Sequence, residues 1–522
     1  MLLTYRIAIT AAVLSVAACK VGPDFSRPTA SLADNWLESG NPSVHTDRQD
    51  DERWWTVYND PTLNRLIDLA YHQNLTLLAA GTRVLEARAA LGIAVGEFYP
   101  QTQQIGANVA YNQASQVDPV SNPLHQLENY WRATLSSQIA WEIDLWGKFR
   151  RGVQSADAAY LASIATYDDV LVTLLGDVAT TYIGIRTLQQ QIIIARENVV
   201  KQRKALQIAT DRWHGGTATA LDVYQAENVL AQTESMIPQL TAQLQRGEDA
   251  LHVLLGMTPA SLDTLLAGPE TIPVPPKDVA VGIPADLLRR RPDIRSVELQ
   301  AAAQSEQIGI AKTDLFPAFA LTGAFGTVAG TTGGNRLNKV FTASAIEFAF
   351  GPTFSWPILN YGQITNKVRA QDAVFQQAIL NYQSTVLKAQ KEVEDALIAY
   401  LNAQLEVASL TTAVAAAKRS ADLALIQYRE GQTDYTTVLT AQQTLLSQED
   451  QLAQAQGAIP QGLIALYRAF GGGWTLRLGH ELIPPEIREA MAKRTNWGGL
   501  LQPGSEEPPP SVQKYSIGLP EW

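Results

Sequence analysis

Two stretches decide the fold of this chain: Trp141-Glu-Ile-Asp-Leu-Trp-Gly-Lys148 and Trp356-Pro-Ile-Leu-Asn-Tyr-Gly-Gln363. In both, a tryptophan, an isoleucine and an aromatic–glycine pair follow in the same order and at the same spacing. The offset that separates these two copies also relates Trp213-His-Gly-Gly216 to Tyr428-Arg-Glu-Gly431. Solenoid repeats have periods of about 20–50 residues, far shorter than this offset, so the sequence predicts two copies of one large unit instead.

The duplication sets the expected division of the chain. Each copy begins with a helix, because Asp60-Pro61 and Pro284 are helix start signals. The expected order is a signal peptide at 1–18, an N-terminal segment at 19–59, a first repeat at 60–256, a Pro-rich linker at 257–283, a second repeat at 284–471 and a C-terminal extension at 472–522. Each repeat is expected to hold a β-hairpin, at about 101–143 and 318–356, and a long helical hairpin, at 148–256 and 363–471.

Alternation with a period of two marks the strands. Leu135, Ile139 and Trp141 alternate with small or polar residues, and Phe348 and Phe350 do the same. Four such segments are joined across 112–130 and 328–342, which predicts two hairpins. In an outer membrane barrel the apolar face meets lipid, and the smallest barrels have about eight strands. In a soluble sandwich the apolar face would instead be core. If the strands form a membrane barrel, chains must share it, because four strands cannot close one alone, and a trimer would give twelve strands.

Two segments, 148–212 and 363–429, contain no proline. A helix of about 65 residues reaches about 100 Å, so coiled coil is expected. Glycines at positions 215, 216 and 431 supply the left-handed turn at the end of each long helix. A return helix of about 40 residues is expected after each turn. These segments predict an α+β chain in which two long antiparallel helical hairpins project from two short β-hairpins.

Composition excludes several function classes. The chain has 40 basic and 51 acidic residues and a net charge of −11, which argues against a nucleic-acid partner because phosphate binding needs clustered Lys and Arg. The six histidines are scattered, so no local metal site is expected. No nucleophile elbow or phosphate-binding loop is present in the sequence. We therefore expect no enzyme activity, no metal and no cofactor.

The N-terminal sequence is typical of a targeting segment. Arg6 precedes the apolar run 7–17, and small residues lead to Cys19, the only cysteine. This pattern is typical of a bacterial lipobox, whose cysteine is acylated; an ordinary secretory signal that contains a Cys is the alternative. The residue after this cysteine is Lys20, and an Asp at that position would favour retention in the inner membrane. We therefore expect lipid anchoring in the outer membrane. No later stretch is expected to form a transmembrane helix.

Three motifs carry a resemblance to a known family. They are Cys19-Lys-Val-Gly-Pro-Asp-Phe-Ser-Arg-Pro28, Leu287-Leu-Arg-Arg-Arg-Pro-Asp-Ile-Arg295 and Tyr428-Arg-Glu-Gly431. Together they resemble the TolC-like outer membrane efflux family, and specifically its NodT-type lipoprotein branch, over residues 19 to about 473. The resemblance implies a homotrimer without catalysis. It also implies the fold class, an α+β membrane protein in which a shared 12-stranded β-barrel continues into a long α-helical coiled-coil barrel. It also implies two partners, a periplasmic adaptor and an inner-membrane transporter of the resistance-nodulation-division type.

The resemblance also implies where the functional residues lie. The helix-tip turns would contact the adaptor through Trp213, Gly215, Gly216, Tyr428, Arg429, Gly431 and Thr433. The alternative is a plain helical hairpin, whose reversal needs glycine in any case.

The periplasmic aperture is expected just beyond each tip. The family often places acidic residues six and nine positions after the tip glycine, where this chain has Thr437 and Thr440. Asp222, at the +6 position of the first copy, and Asp434 are the remaining acidic candidates. A solvated polar face is the alternative for both, and the first turn of a helix, favoured by its dipole, is a further one for Asp434.

Other functions remain open at this point. Within transport, a duct for type I protein secretion is the alternative to drug efflux. A periplasmic lipoprotein enzyme would need a compact α/β pocket, and a coiled-coil spacer would not need strands with aromatic faces. The run Arg289–Asp293 is either an anion site or, as we favour, a structural junction at Pro292.

Overall fold

The computed structural model describes residues 20–45, 52–113, 115, 129–268, 270–280, 282, 284–286, 290–332 and 335–502. The protein is mostly helical and has one four-stranded sheet. The helices are α1 (Pro61–Gln73), α2 (Leu75–Gly96), α3 (Lys148–His214), α4 (Ala220–Leu254), α5 (Pro292–Thr313), α6 (Gln363–Arg429), α7 (Tyr435–Ala469) and α8 (Pro485–Arg494). The strands are β1 (Val44–His45), β2 (Thr102–Asn112), β3 (Tyr130–Glu142), β4 (Val279–Ala280), β5 (Ala318–Gly330) and β6 (Ile346–Ser355).

The first helices begin where their capping residues require. The Asp60 carboxylate accepts hydrogen bonds from the backbone N–H groups of Thr62 and Leu63, and Pro61 opens α1. Asn74 ends α1 and caps α2, since its side chain accepts the Leu77 N–H at 2.9 Å. Pro292 opens α5 as Pro61 opens α1, although Arg291 before it makes no side-chain cap. The start of α1 is the one that the sequence predicts. At Pro284, the other predicted start, the structure has a 3-10 helix of three residues, Pro284–Asp286.

The four long strands form one antiparallel sheet in the order β2-β3-β5-β6. β3 and β5 pair across the two hairpins, and their register places Ala133 opposite Ala329. This pairing extends β5 to Gly330, so the second loop covers 331–345 rather than the expected 328–342. The alternation along β5 does not predict this extension. The last residues of β5 are small, and they pair with β3, which is far away in sequence.

Two helical hairpins project from the sheet. α3 and α6 each have 67 residues, about 100 Å of helix, and α4 and α7 each have 35. Corresponding helix ends keep the constant offset of the sequence motifs, as His214 with Arg429 and Leu254 with Ala469 show. The first long helix extends to His214, slightly beyond the expected end at 212. Each return helix contains a proline, Pro238 or Pro460, and is somewhat shorter than the sequence predicts.

The core lies around the first half of α3. This helix packs against α1, α2, α5 and α7, and its Leu171, Leu175 and Val178 are completely buried. By length and composition, α3 contains an 18-residue segment apolar enough to cross a membrane, which departs from the sequence expectation. Within the structure 56% of that segment is buried, so its apolar character is accounted for by packing.

The segments outside the repeats are partly folded. β1 and β4 pair in parallel, which ties the N-terminal segment to the linker. The C-terminal extension adds a turn of 3-10 helix at Trp474–Arg477 and then α8, whose Met491 packs with Leu85 of α2. The described part of the extension, 472–502, is therefore packed against the first repeat. Residues 503–522 lie outside the described residues, as do the signal peptide and Cys19.

Candidate functional site

One face of the sheet is apolar and open to the surroundings. The register aligns Leu135 with Thr327, and Phe325 with Phe348, so the large side chains of all four strands share this face. Several are strongly exposed in the single chain: Ile105, Val109, Tyr111, Trp131, Leu135, Ile139, Phe325, Phe348, Phe350 and Phe354. A water-soluble sheet would cover such a face, so this one is suited to lipid.

The other face of the same sheet is polar. It carries amide, hydroxyl and charged side chains, including Gln104, Asn108, Arg132, Thr134, Gln138, Glu142, Thr322, Glu347 and Thr353. Gln104 donates to Gln138 across β2 and β3 at 3.0 Å. One lipid-compatible face and one water-compatible face are the two surfaces that a membrane barrel needs.

Aromatic residues lie at both ends of the apolar face. Trp141 and Trp356 mark the end near the helices, and their indole N–H groups donate to the backbone carbonyls of Phe98 and Leu315. Trp131 marks the far end. The strand from Trp131 to Trp141 spans about 33 Å, or about 25 Å once a tilt of about 40° is allowed for. That height matches the apolar band of an outer membrane barrel.

The hairpin tips are formed by glycine-dependent turns. Gly216 and Gly431 have φ values of +73° and +76°, a region that L side chains rarely adopt. Their backbone N–H groups donate to the carbonyls of Trp213 and Tyr428, which closes each long helix. The tip turns lie where the sequence predicts them, but Gly215, expected to be left-handed, has a right-handed backbone with φ −76°.

The two tips are packed against each other through Tyr428. Its ring is buried beside Tyr435, and the Arg212 guanidinium lies 4.5 Å from the ring centre. The Tyr428 hydroxyl donates to the Asp222 carboxylate at 2.9 Å. Burial, and then the hydrogen bond to Asp222, raise the pKa of Tyr428 well above its ordinary value, so the hydroxyl remains a donor. Burial, followed by the Asp222 charge, also raises the pKa of Tyr435 to about 12.

The predicted adaptor contacts are only partly at the surface. Trp213, Gly215, Gly216, Arg429 and Gly431 are exposed, and Thr433 is half-buried. Tyr428 differs, because only 1% of its side chain is exposed in the single chain. Its side chain is occupied by the contact between the hairpins, which does not fit a direct contact with another protein.

The aperture candidates lie in two different environments. Asp222 is half-buried and tied to Tyr428, and Thr219 donates to its other oxygen at 2.7 Å. Asp434 is exposed and caps α7, accepting hydrogen bonds from the Thr437 hydroxyl and backbone N–H; these bonds lower its pKa. Asp434 lines a groove of about 450 Å³ together with Thr437, Thr440 and other hydroxyl-bearing and alanine side chains.

The run that includes Arg291 forms a structural junction. Arg291 donates to Asp293, to Glu392 of α6 and to the Ala469 carbonyl at the end of α7. It therefore joins α5, α6 and α7, as favoured from the sequence; Arg289 lies outside the described residues. Among the described residues, no group of three or more His, Cys, Asp or Glu side chains has the arrangement of a metal site.

Arg151 and Arg477 are two of the buried arginines that were not identified from the sequence. Arg477 in the extension donates to Asp168 of α3, and Arg151 of α3 donates to Glu306 and to the backbone carbonyls of Val21 and Gly22. Both arginines are almost completely buried. A single arginine within a helical or irregular stretch is normally interpreted as a surface charge. The burial of these two arginines was therefore not predictable from the sequence.

The comparisons with known proteins agree with this architecture. The family model for outer membrane efflux proteins matches residues 66–257 and 283–472, more than half of the chain. Nodulation protein T of Rhizobium leguminosarum bv. trifolii is 28% identical over 466 residues, which cover 88% of this chain and 96% of that protein. Pyoverdine export outer membrane protein OpmQ of Pseudomonas putida is 30% identical over 430 residues, 81% of this chain and 88% of OpmQ.

A solved structure of the outer-membrane channel OprN is also similar, with a TM-score of 0.80 and 32% identity, and the match covers 87% of this chain and 100% of that one. The proteins matched are outer membrane channels and efflux proteins, not enzymes. The resemblance predicted from the sequence motifs is thereby confirmed, and the chain belongs to the outer membrane efflux protein family.

Proposed function

We propose that this chain is the outer membrane duct of a tripartite efflux pump. Three copies form one passive channel that carries small molecules to the exterior from an inner-membrane transporter and a periplasmic adaptor. The observation that carries the proposal is a single sheet with one apolar and one polar face, from which two hairpins of about 100 Å project. The strands cross the outer membrane, and the helices extend into the periplasm.

Two features support a homotrimer. β2 and β6 have no strand partner on their outer sides within the part of the chain that the structure describes, and three four-stranded sheets joined edge to edge give twelve strands. In addition, α6 carries an unpartnered apolar stripe of Leu380, Leu387, Ile398, Leu405 and Leu423, which are 40–68% exposed. Each member lies close to a whole number of helical turns from the next, so all five share one side of the helix. A neighbouring copy would cover both the strand edges and this stripe.

The anchor and the internal repeat belong to the same proposal. Lys20, the residue after Cys19, packs against Gly147 at the start of α3, and Val21 donates to the Trp146 carbonyl at 3.0 Å. An acyl group on Cys19 would therefore enter lipid beside the base of the sheet. The equal offsets of the two helical hairpins support an origin of the chain by internal duplication, with the domain limits given above.

The tips are assigned to docking and closure. The adaptor-contact surface consists of the exposed Trp213 and Arg429, the tip glycines and Thr433. The buried Tyr428 packs behind this surface and holds the two tips together. Asp222, Asp434, Thr437 and Thr440 surround the aperture. Partner choice follows the resemblance to NodT-type proteins, so a resistance-nodulation-division transporter energises export.

Light scattering of the detergent-extracted protein, corrected for bound detergent, tests the trimer. A protein mass near three chains is expected; a monomer that stays soluble after the lipid is removed would refute the shared barrel.

Two variants test the orientation of the sheet. Phe350→Arg places a charge on the apolar face, where lipid would cost about 2–4 kcal/mol, and Thr353→Arg places it on the polar face. Outer membrane trimer should be lost only with Phe350→Arg; equal yields would contradict the assigned faces.

A further inference from the structure

The loop between β5 and β6 folds back over the apolar face of the sheet. Val340 is buried against Ala133 and Ala329, with Leu337 packed beside them. Ala133 and Ala329 are opposite each other in the register, on the same face as Leu135. Because alternate residues of a strand share a face, the loop covers the lipid side of the sheet and not the polar side.

This loop is held in place by its own hydrogen bonds. The Trp131 N–H donates to the Thr331 hydroxyl, and the Thr331 N–H donates back to the Trp131 carbonyl, both at 3.0 Å. Leu337–Phe341 then forms a short 3-10 helix, after which the Thr342 hydroxyl donates to the Lys339 carbonyl. The side chains on the outer surface of this turn therefore have a defined place relative to the sheet.

The outer surface of the loop combines a large apolar side chain with two cations. Phe341 is 83% exposed, and Arg336 and Lys339 are exposed on the same short segment. The sequence from 331 to 345 contains no Asp or Glu, and Glu347 beyond it points to the polar face of β6. We define this surface, Arg336, Lys339 and Phe341, as the loop patch.

We propose that the loop patch binds phosphate-bearing lipids of the outer leaflet, with Arg336 and Lys339 on the phosphates and Phe341 in the acyl layer. The inference rests on the proposed function, which directs this end of the sheet outward. Neighbouring copies in a shared barrel meet at β2 and β6, so they leave the outer side of the central strands, where the loop lies, to lipid. The loop patch lies next to the aromatic end of the apolar face, where Tyr111 and Trp131 are in contact. In a membrane barrel, amphipathic side chains at this level meet the lipid headgroups.

The chemistry of the patch matches an anionic headgroup. Arg and Lys are the side chains that pair with phosphate oxygens, and Arg does so through two parallel hydrogen bonds. Lys339 donates to Asn335 at 2.9 Å, so one of its three N–H bonds is used locally and the others are available to a ligand. Two basic residues near an anionic membrane surface account for about a 30-fold gain in affinity, equivalent to about 2 kcal/mol.

The test compares diphosphorylated lipid A with its dephosphorylated form, titrated separately into the detergent-purified full-length protein and followed by native mass spectrometry. Wild type should bind the phosphorylated lipid about 30-fold more tightly, and higher salt should reduce this preference. The variant R336Q/K339Q should lose the preference. Lys418→Gln with Arg419→Gln removes two charges from α6 and should keep it. Phe341→Ser should weaken binding of both lipids alike.

Equal binding of the two lipids by wild type, or an unchanged preference in R336Q/K339Q, would overturn the inference. Light scattering of each sample separates this result from failure of the proposed function. A wild-type protein that forms a trimer but shows no lipid preference refutes the loop patch alone. A wild-type protein that forms no trimer refutes the duct itself.

Discussion

The buried ion pair between Asp168 and Arg477 should fasten the C-terminal extension to α3. Arg477 donates to both carboxylate oxygens of Asp168, one of them at 3.0 Å, and the two residues are only 4% and 1% exposed. Removing one partner leaves the other charge buried and unpaired, which costs about 3–5 kcal/mol. We therefore expect Arg477→Met, which keeps most of the side-chain volume, to destabilise the folded protein by that amount near neutral pH.

The loss should depend on pH. Burial raises the pKa of Asp168 to about 6 even with Arg477 in place, so removing that cation raises it further. An acid whose pKa is higher in the folded state binds protons more tightly there, so folding stability falls as pH rises from the unfolded pKa, about 4, to the folded one. Arg477→Met should accordingly be least destabilising near pH 5 and most destabilising near pH 8.

Thermal melting of the helical circular dichroism at a fixed scan rate measures the effect, and limited proteolysis reports release of the extension. Arg468→Met is the matched control, because Arg468 pairs with Asp177 at the surface, where such pairs contribute about 0–1 kcal/mol. The double variant Asp168→Leu/Arg477→Met should regain most of the loss, since no lone charge remains. An Arg477→Met melt like that of Arg468→Met, or no recovery in the double variant, would refute the reasoning.

Three further predictions concern the hairpin tips. Tyr428→Phe removes the hydrogen bond to Asp222, worth about 0.5–1.5 kcal/mol, and should raise single-channel conductance in planar bilayers; unchanged conductance would place closure elsewhere. Asp434→Ala removes the cap of α7, at a cost of about 1 kcal/mol, and should speed hydrogen exchange of the Thr437 amide without affecting the α4 start. Thr437→Asp with Thr440→Asp should make the channel cation-selective in reversal-potential measurements, because threefold symmetry multiplies the added charge; unaltered selectivity would remove these residues from the aperture.

The strands and long helices were predictable because their signals are local. Alternation along the strand identifies the apolar face of β6, and the absence of proline over 363–429 gives the length of α6. The extra length of β5 and the burial of Arg477 were not predictable in this way. Both arise from contacts between residues far apart in sequence, Ala133 with Ala329 and Asp168 with Arg477.

The duplicated tips show where sequence similarity misleads. Trp213 and Tyr428 occupy the same place in the two copies, so the sequence analysis gave them one role. The structure separates them, because Tyr428 is buried whereas Trp213 is 43% exposed. The difference follows from their partners: Tyr428 reaches Asp222 of the first copy, but the position equivalent to Asp222 in the second copy is Thr437.

The reciprocal contact would pair Trp213 with Thr437, and neither the acceptor carboxylate nor the phenol donor is present there. Within the described hairpins each chain thus has one hydrogen bond of this type, and the proposed homotrimer would have three instead of six. The two copies also differ in their capping residues. Asp434 caps α7 through its side chain, whereas the equivalent Thr219 makes no such bond to α4. In the proposed duct, opening should therefore begin by separating Tyr428 from Asp222, while Asp434 still caps the start of α7.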